Sequence, residues 1–253
     1  MDTQHLIDAL REEGTRLADR AARLPLDATI PTCPGWTVRD LLRHLGGIHR
    51  WAGTHVREAS PDLVAVDDLV DLFGDWPADD ALVDWYRAEH ALLVESLAAA
   101  DPDLICFAFL SAPTPLHFWA RRQAHETSIH RVDVESVSGA IGPIAPDVAA
   151  DGIDELVAGF LPRPRTSPRT PTPRTLRIAP DDDPARWLLR ISAGPVATVR
   201  EVDGTEPADC TAGGRASDLY LALWNRGNVD ALTVQGDATL LDLFRERVKI
   251  RWS

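Results

Sequence analysis

The densest group of chemically capable side chains lies in residues 123–133, Gln-Ala-His-Glu-Thr-Ser-Ile-His-Arg-Val-Asp. Here His125, Glu126 and His130 offer three metal-ligating groups within six residues. On a helix, residues five apart are separated by about 140°, so His125 and His130 cannot share a face. Glu126 and His130, four apart, are separated by about 40° and can. With one imidazole from a neighbouring helix they make a His2Glu set. Such a set, with an open position for water or substrate, is typical of catalytic zinc and is also accepted by nickel, manganese and iron. It is not the zincin pattern, whose two histidines are four residues apart. An isolated Glu-x-x-x-His also occurs wherever an exposed helix pairs its charges, and His125 reads as a surface or supporting residue.

A third ligand has to come from elsewhere, and the segment 37–57 offers His44 and His49. With Val38, Leu41, Leu42, Leu45, Ile48 and Ala52 as the apolar arc, His49 falls roughly 45° from its centre and His44 roughly 90°. The wheel mildly prefers His49, but a ligand at the edge of a buried arc is equally ordinary, and periodicity leaves both open. Asp133 follows His130 by three residues. It can hydrogen-bond that imidazole from behind or pair with Arg122 or Arg131. Cys33 precedes a Pro-Gly turn with no motif-like base beside it, which argues against a nucleophile, and no redox role is expected of it.

These residues need helices to position them, and residues 1 to about 100 have helical apolar periodicity. Leu6, Leu10, Leu17 and Leu24 mark a first helix over 2–24, closed by Pro25. Thr37 with Asp40 resembles a capping box and opens a second helix to about residue 57. A third fits 78–100 and a fourth 115–138, ended by Gly139 and Gly142. Four such helices predict an antiparallel bundle. Trp36, Trp51 and Trp119 are expected in its core or along a cavity wall.

Residues 161–175 carry five prolines and four arginines. They read as an extended, solvated connector that is neither helix nor central strand. Beyond them the pattern alternates: strands are expected at 175–178, 187–191, 197–202 and 232–234, with short helices at 217–224 and 238–247. The second half is therefore α+β. The expected division is a helical domain over 1–150 and an α+β domain over 151–253.

Composition narrows the function classes. The chain has 253 residues and a net charge of −13, which excludes a general nucleic-acid binder. No stretch approaches the roughly 20 apolar residues of a membrane span, and the acidic start lacks the marks of a signal peptide. Three dispersed cysteines, Cys33, Cys106 and Cys210, suit a reducing cytoplasm. All eight histidines fall in the first 130 residues, so imidazole chemistry belongs to the helical half. The acidic surface suits a monomer or weak dimer.

The run Cys33-Pro-Gly-Trp-Thr-Val-Arg-Asp-Leu-Leu-Arg-His44, followed by Glu126-x-x-x-His130-Arg-Val-Asp133, resembles the mycothiol-dependent maleylpyruvate isomerase family of actinobacteria. Residues 216–226, Ala-Ser-Asp-Leu-Tyr-Leu-Ala-Leu-Trp-Asn-Arg, and 234–237, Val-Gln-Gly-Asp, resemble that family's second domain. The resemblance implies a DinB-like four-helix bundle followed by a small sterol-carrier-like α+β domain, with the active site in the cleft between them. It implies His44, Glu126 and His130 as metal ligands, leaving His49 a neighbouring polar residue, and Arg226 as an active-site residue. The implied cofactors are a divalent metal, zinc foremost, and mycothiol as cosubstrate. The implied partners are thus a low-molecular-weight thiol and a small electrophile. The expected activity is cis–trans isomerisation of a maleylpyruvate-like substrate, or S-transfer. A metal-dependent hydrolase using activated water and a non-catalytic small-molecule-binding protein are the alternatives on the same scaffold.

Overall fold

The computed structural model describes residues 1–64, 76–163, 167–201 and 206–250. They divide into two compact units, Met1–Gly142 and Pro143–Ser253.

The first unit is built from α1 (Thr3–Ala21), α2 (Val38–Glu58), α3 (Leu82–Ala99) and α4 (Pro115–Ser136). Each of α1 and α2 packs against both α3 and α4, which closes the four into a bundle. The starts of three helices are locally specified. Asp2 accepts from the His5 amide, Thr114 from the His117 amide just ahead of Pro115, and Thr37 and Asp40 form the complete reciprocal capping box. Leu6, Leu10, Trp51, Leu93, Phe118 and Trp119 meet in one core cluster, and Leu17, Leu41, Leu45, Leu82 and Tyr86 in another. Burying a side chain of this size contributes about 1.5–3 kcal/mol.

Before α2 the chain makes a tight turn. The Trp36 amide donates to the Cys33 carbonyl at 3.0 Å, with Pro34 and Gly35 at the corner. Gly35 has φ +90°, the left-handed conformation that a type II turn requires at its third position. The Ile30 amide donates to the Trp36 carbonyl and Thr29 bridges to Thr37, tying both arms together.

The second unit opens with α5 (Pro146–Asp154), which continues into a π-helical turn, Glu155–Phe160. A five-stranded mixed sheet follows, in the order β3-β2-β1-β4-β5: β1 (Arg174–Pro180), β2 (Arg186–Ile191), β3 (Ala197–Glu201), β4 (Cys210–Gly214) and β5 (Thr233–Gly236). All pairs are antiparallel except β1 with β4. Leu176, Ile178, Trp187, Leu189, Cys210 and Ala212 fall in register on one buried face. Helices α6 (Ala216–Leu223) and α7 (Thr239–Arg247) pack against β4.

The proline run departs from expectation. Residues 164–166 lie outside the described residues, as does Val202 of the third expected strand. What is described of the run belongs wholly to the second unit and is not simply solvated. Thr170 is buried, its hydroxyl donates to the Ile191 carbonyl at 3.0 Å, and Arg169 donates to the Gly194 carbonyl at 2.6 Å. Central strand β1 begins at Arg174, directly after the last proline, so residues 174 and 175 are sheet rather than connector. Among the described residues no helix is long and apolar enough to cross a membrane.

Candidate metal centre

Helix α2 supplies His44 and helix α4 supplies Glu126 and His130. One ligand-type atom from each, an imidazole nitrogen or a carboxylate oxygen, lies within 4.8 Å of the other two. The Glu126 Oε1 atom stands 3.4 Å from His44 Nε2 and 3.3 Å from His130 Nε2. These separations exceed the roughly 2.8 Å of a charge-assisted hydrogen bond. Ligands about 2.1 Å from a tetrahedral cation stand roughly 3.4 Å apart, so the donor set suits a divalent ion in its chemistry and in the two separations that involve Glu126. Glu126 and His130 are buried, whereas the His44 side chain keeps 20% exposure.

The other Glu126 oxygen, Oε2, accepts from Arg122 Nη2 at 2.8 Å, and Arg122 is itself buried. Burial works against ionising Glu126. The two imidazoles and Arg122 outweigh it, and the carboxyl is held well below its ordinary pKa. Burial dominates at His44 and lowers its pKa against the pull of Glu126, so this imidazole is neutral with a lone pair to give. At His130 burial is opposed by Asp133, Cys33 and Glu126, which together raise its pKa well above the ordinary value. A cation binding there must displace a proton.

Behind His130 lies a second layer. His130 Nδ1 is 2.9 Å from Asp133 Oδ2, and the same oxygen accepts from Cys33 Sγ at 3.1 Å. Asp133 Oδ1 accepts from Thr32 Oγ1 at 2.6 Å. Arg122 donates to Glu126, and Arg131 donates to Glu13 and Glu135. Cys33 therefore does have a carboxylate and an imidazole beside it, contrary to expectation, but its thiol is a donor to Asp133. The Trp36 ring lies parallel to His130, 6.1 Å between centroids, and edge-on to His44 at 4.9 Å. It forms a wall of the site.

His49 and His125 are not part of this set. His49 is fully buried, as the wheel implied, but its Nε2 meets Thr127 Oγ1 at 3.0 Å. Burial and the nearby His90 lower its pKa well below the ordinary value. His125 is also fully buried and not a surface residue. The Arg122–Glu126 contact was available to sequence reading as an i,i+4 pair, whereas Thr32 and Cys33 reach Asp133 across about a hundred residues without a sequence signal.

Arg226 lies in the second unit, immediately after α6. Asn225 takes φ +60°, and the Asn225 and Arg226 amides donate to the Ala222 and Leu221 carbonyls at 3.1 and 2.8 Å. This is the Schellman ending of a helix, in which asparagine tolerates the left-handed position. A Cβ at Gly227 would come within 2.9 Å of the Ala222 amide nitrogen, so glycine is required by the close approach. The main chain of Arg226 is thereby fixed, and its Nη1 donates to the Trp224 carbonyl at 3.0 Å.

Residues 7–135 match the family model of the mycothiol maleylpyruvate isomerase N-terminal domain, and residues 147–243 match that of the MDMPI C-terminal domain. Two solved structures share the architecture. The mycothiol-dependent maleylpyruvate isomerase aligns at 14% identity with a TM-score of 0.65, and a histidine-to-alanine mutant of it at 15% and 0.64. Each alignment covers 93% of this chain and 93% of the other. At such identity the likeness speaks for the fold. No curated protein matches the chain.

Proposed function

The chain belongs to the mycothiol maleylpyruvate isomerase family, and from that premise we propose that it is a metal-dependent enzyme acting with a low-molecular-weight thiol, mycothiol, on a small electrophile. The observation that carries the reading is the convergence of His44, Glu126 and His130 on one point beside the Trp36 wall. These three side chains would hold a divalent cation, with zinc the first choice. A cation held there would supply Lewis-acid activation of a thiol, favouring thiolate near neutral pH, where a free thiol of pKa about 8.5 is only slightly ionised.

The residues divide the remaining work. Arg122 keeps Glu126 ionised and orients it, His44 presents a neutral imidazole, and the indole of Trp36 screens both imidazoles from water. Arg226 is the proposed holder of a substrate or thiol carboxylate, a task suited to the planar guanidinium fork. Reversible addition of the thiolate to a cis double bond, rotation and elimination give the trans isomer. With another electrophile the addition ends at a thioether, which is S-transfer. The proposed setting is cytoplasmic.

Elemental analysis of wild type and of the His44→Ala, His130→Ala and His49→Ala variants tests the ligand set. We expect one equivalent of divalent metal in wild type and His49→Ala, and its loss in the other two. A wild type that takes up no metal after reconstitution would refute the enzymatic reading.

A further inference from the structure

The Thr32–Thr37 turn supplies no ligand to the proposed cation, and beyond the Trp36 wall it has no task in the proposed chemistry, yet it holds the layer behind His130. We propose that Asp133 is a positioning residue for the cation site, fixing the tautomer and ring orientation of His130, and that Thr32 and Cys33 hold Asp133 in place. The inference rests on the proposed ligand set.

A buried carboxylate costs several kcal/mol unless it is compensated by partners. The Asp133 side chain has no exposed surface. The Thr32 hydroxyl, the Cys33 thiol and the His130 ring meet it. A neutral imidazole carries one N–H. Because Asp133 accepts it at Nδ1, the lone pair is left at Nε2, the nitrogen that faces Glu126 and is directed to the His44 side of the site. The opposite tautomer would aim an N–H at the cation position.

The turn makes this arrangement rigid. Gly35 at φ +90° lets the chain reverse over Pro34, so that Thr32 and Cys33 both face α4 while Trp36 reaches the two imidazoles. Ser136, one turn beyond Asp133, shares the Thr32 hydroxyl at 3.2 Å. One loop therefore sets the back of His130 through Asp133 and its flank through Trp36.

The test is the zinc dissociation constant, measured by competition with a chromophoric chelator, with the visible spectrum of the cobalt-loaded protein as a second readout. Asp133→Asn should weaken zinc binding by about 10–100-fold and alter the cobalt bands, because it unsettles the nitrogen that faces the metal. Thr32→Val should weaken binding by about fivefold, the weight of one hydrogen bond, whereas Thr32→Ser and Cys33→Ser, which keep a donor, should bind like wild type. Thermal melts of the metal-free variants separate loss of fold from loss of affinity. If Asp133→Asn binds zinc within twofold of wild type while His44→Ala does not bind it, the positioning role is wrong and the ligand set stands. If His44→Ala and His130→Ala bind zinc normally, the ligand set itself falls, and this inference with it.

Discussion

The two units of the chain treat charge in opposite ways. Of the nineteen buried polar or charged residues described, only Glu155, Thr170 and Ser217 belong to the second unit. The helical unit encloses the rest, among them Glu13, Arg122, Glu126, His130, Arg131, Asp133 and Glu135. The second unit keeps pairs such as Arg190–Glu206 and Arg174–Asp237 at partly exposed positions, and its most enclosed pair, Arg177–Glu201, keeps 12% and 8% exposure. Interior charge is a liability for stability, so its concentration on α4 marks the helix that the chemistry needs. A sheet with one apolar face has no such need and can leave its charges in water.

The sharpest test of this contrast sets Arg131 against Arg190. Arg131 is fully buried and donates to Glu13 at 2.7 Å, Glu135 at 2.5 Å and the Gly142 carbonyl at 2.7 Å. Arg131→Met would leave the two buried carboxylates to the half-exposed Arg16 and, at Glu135, the Gly142 amide, and should cost about 3–5 kcal/mol. Arg190 and Glu206 are 2.7 Å apart but keep 49% and 45% exposure, and Arg190→Met should cost less than about 1 kcal/mol. Urea denaturation of both variants measures the difference. Equal costs would abolish the distinction between the units.

Acid should also act on one unit before the other. Burial lowers the pKa of His44, His49, His55 and His90, all in the helical unit, and the second unit has no histidine. These rings are neutral when folded and take up protons only when unfolded, near the ordinary value of about 6.5. Stability is therefore greatest above that pH and falls below it, by at most about 1.4 kcal/mol per pH unit for each ring. His130, whose pKa is raised, has the opposite sign and offsets one of them. Between pH 7.5 and 5.5, hydrogen exchange of the metal-free protein should show protection falling in α2 and α3 and holding in β1 and β2. His49→Gln should reduce the slope. Parallel loss in both units would contradict the assignment of the buried imidazoles.

Legibility in the sequence followed the range of the interactions. The four bundle helices could be read from periodicity and local caps, and Glu126 with His130 from their spacing of four. That His44 and not His49 stands beside Glu126 and His130 could not be read from the wheel, because the wheel estimates burial, and His49 is the more buried of the two yet meets α4 at Thr127. Strand β4 escaped notice because Gly213 and Gly214 look like a break, yet its pairing with β1 is parallel and its partner lies more than thirty residues away. Helix α5 escaped because nine residues running into a π-turn carry too little period. Strand β1 starts where the prolines end, and nothing local distinguishes that point from more connector.

The smallest expected effect separates the units by the same criterion. Helix α2 is capped within its own sequence: the Asp40 amide donates to Thr37 Oγ1 at 3.3 Å, and Asp40 Oδ2 accepts from the Thr37 amide at 2.9 Å. Helix α6 has no cap from its own N-cap side chain, Arg215. Its first amide, that of Ala216, donates at 2.7 Å to Asp182 Oδ1, on a loop 34 residues earlier. Thr37→Ala and Asp182→Ala should each cost about 1 kcal/mol, but by different routes. The Thr37 bond can form in any chain that starts the helix, so a peptide spanning residues 36–58 should lose helicity by circular dichroism when Thr37 is replaced. The Asp182 bond requires the folded sheet, so a peptide spanning residues 214–224 should not change when aspartate is added to the solution or left out. A helix α6 peptide as helical alone as in the protein would mean that its start is encoded locally after all.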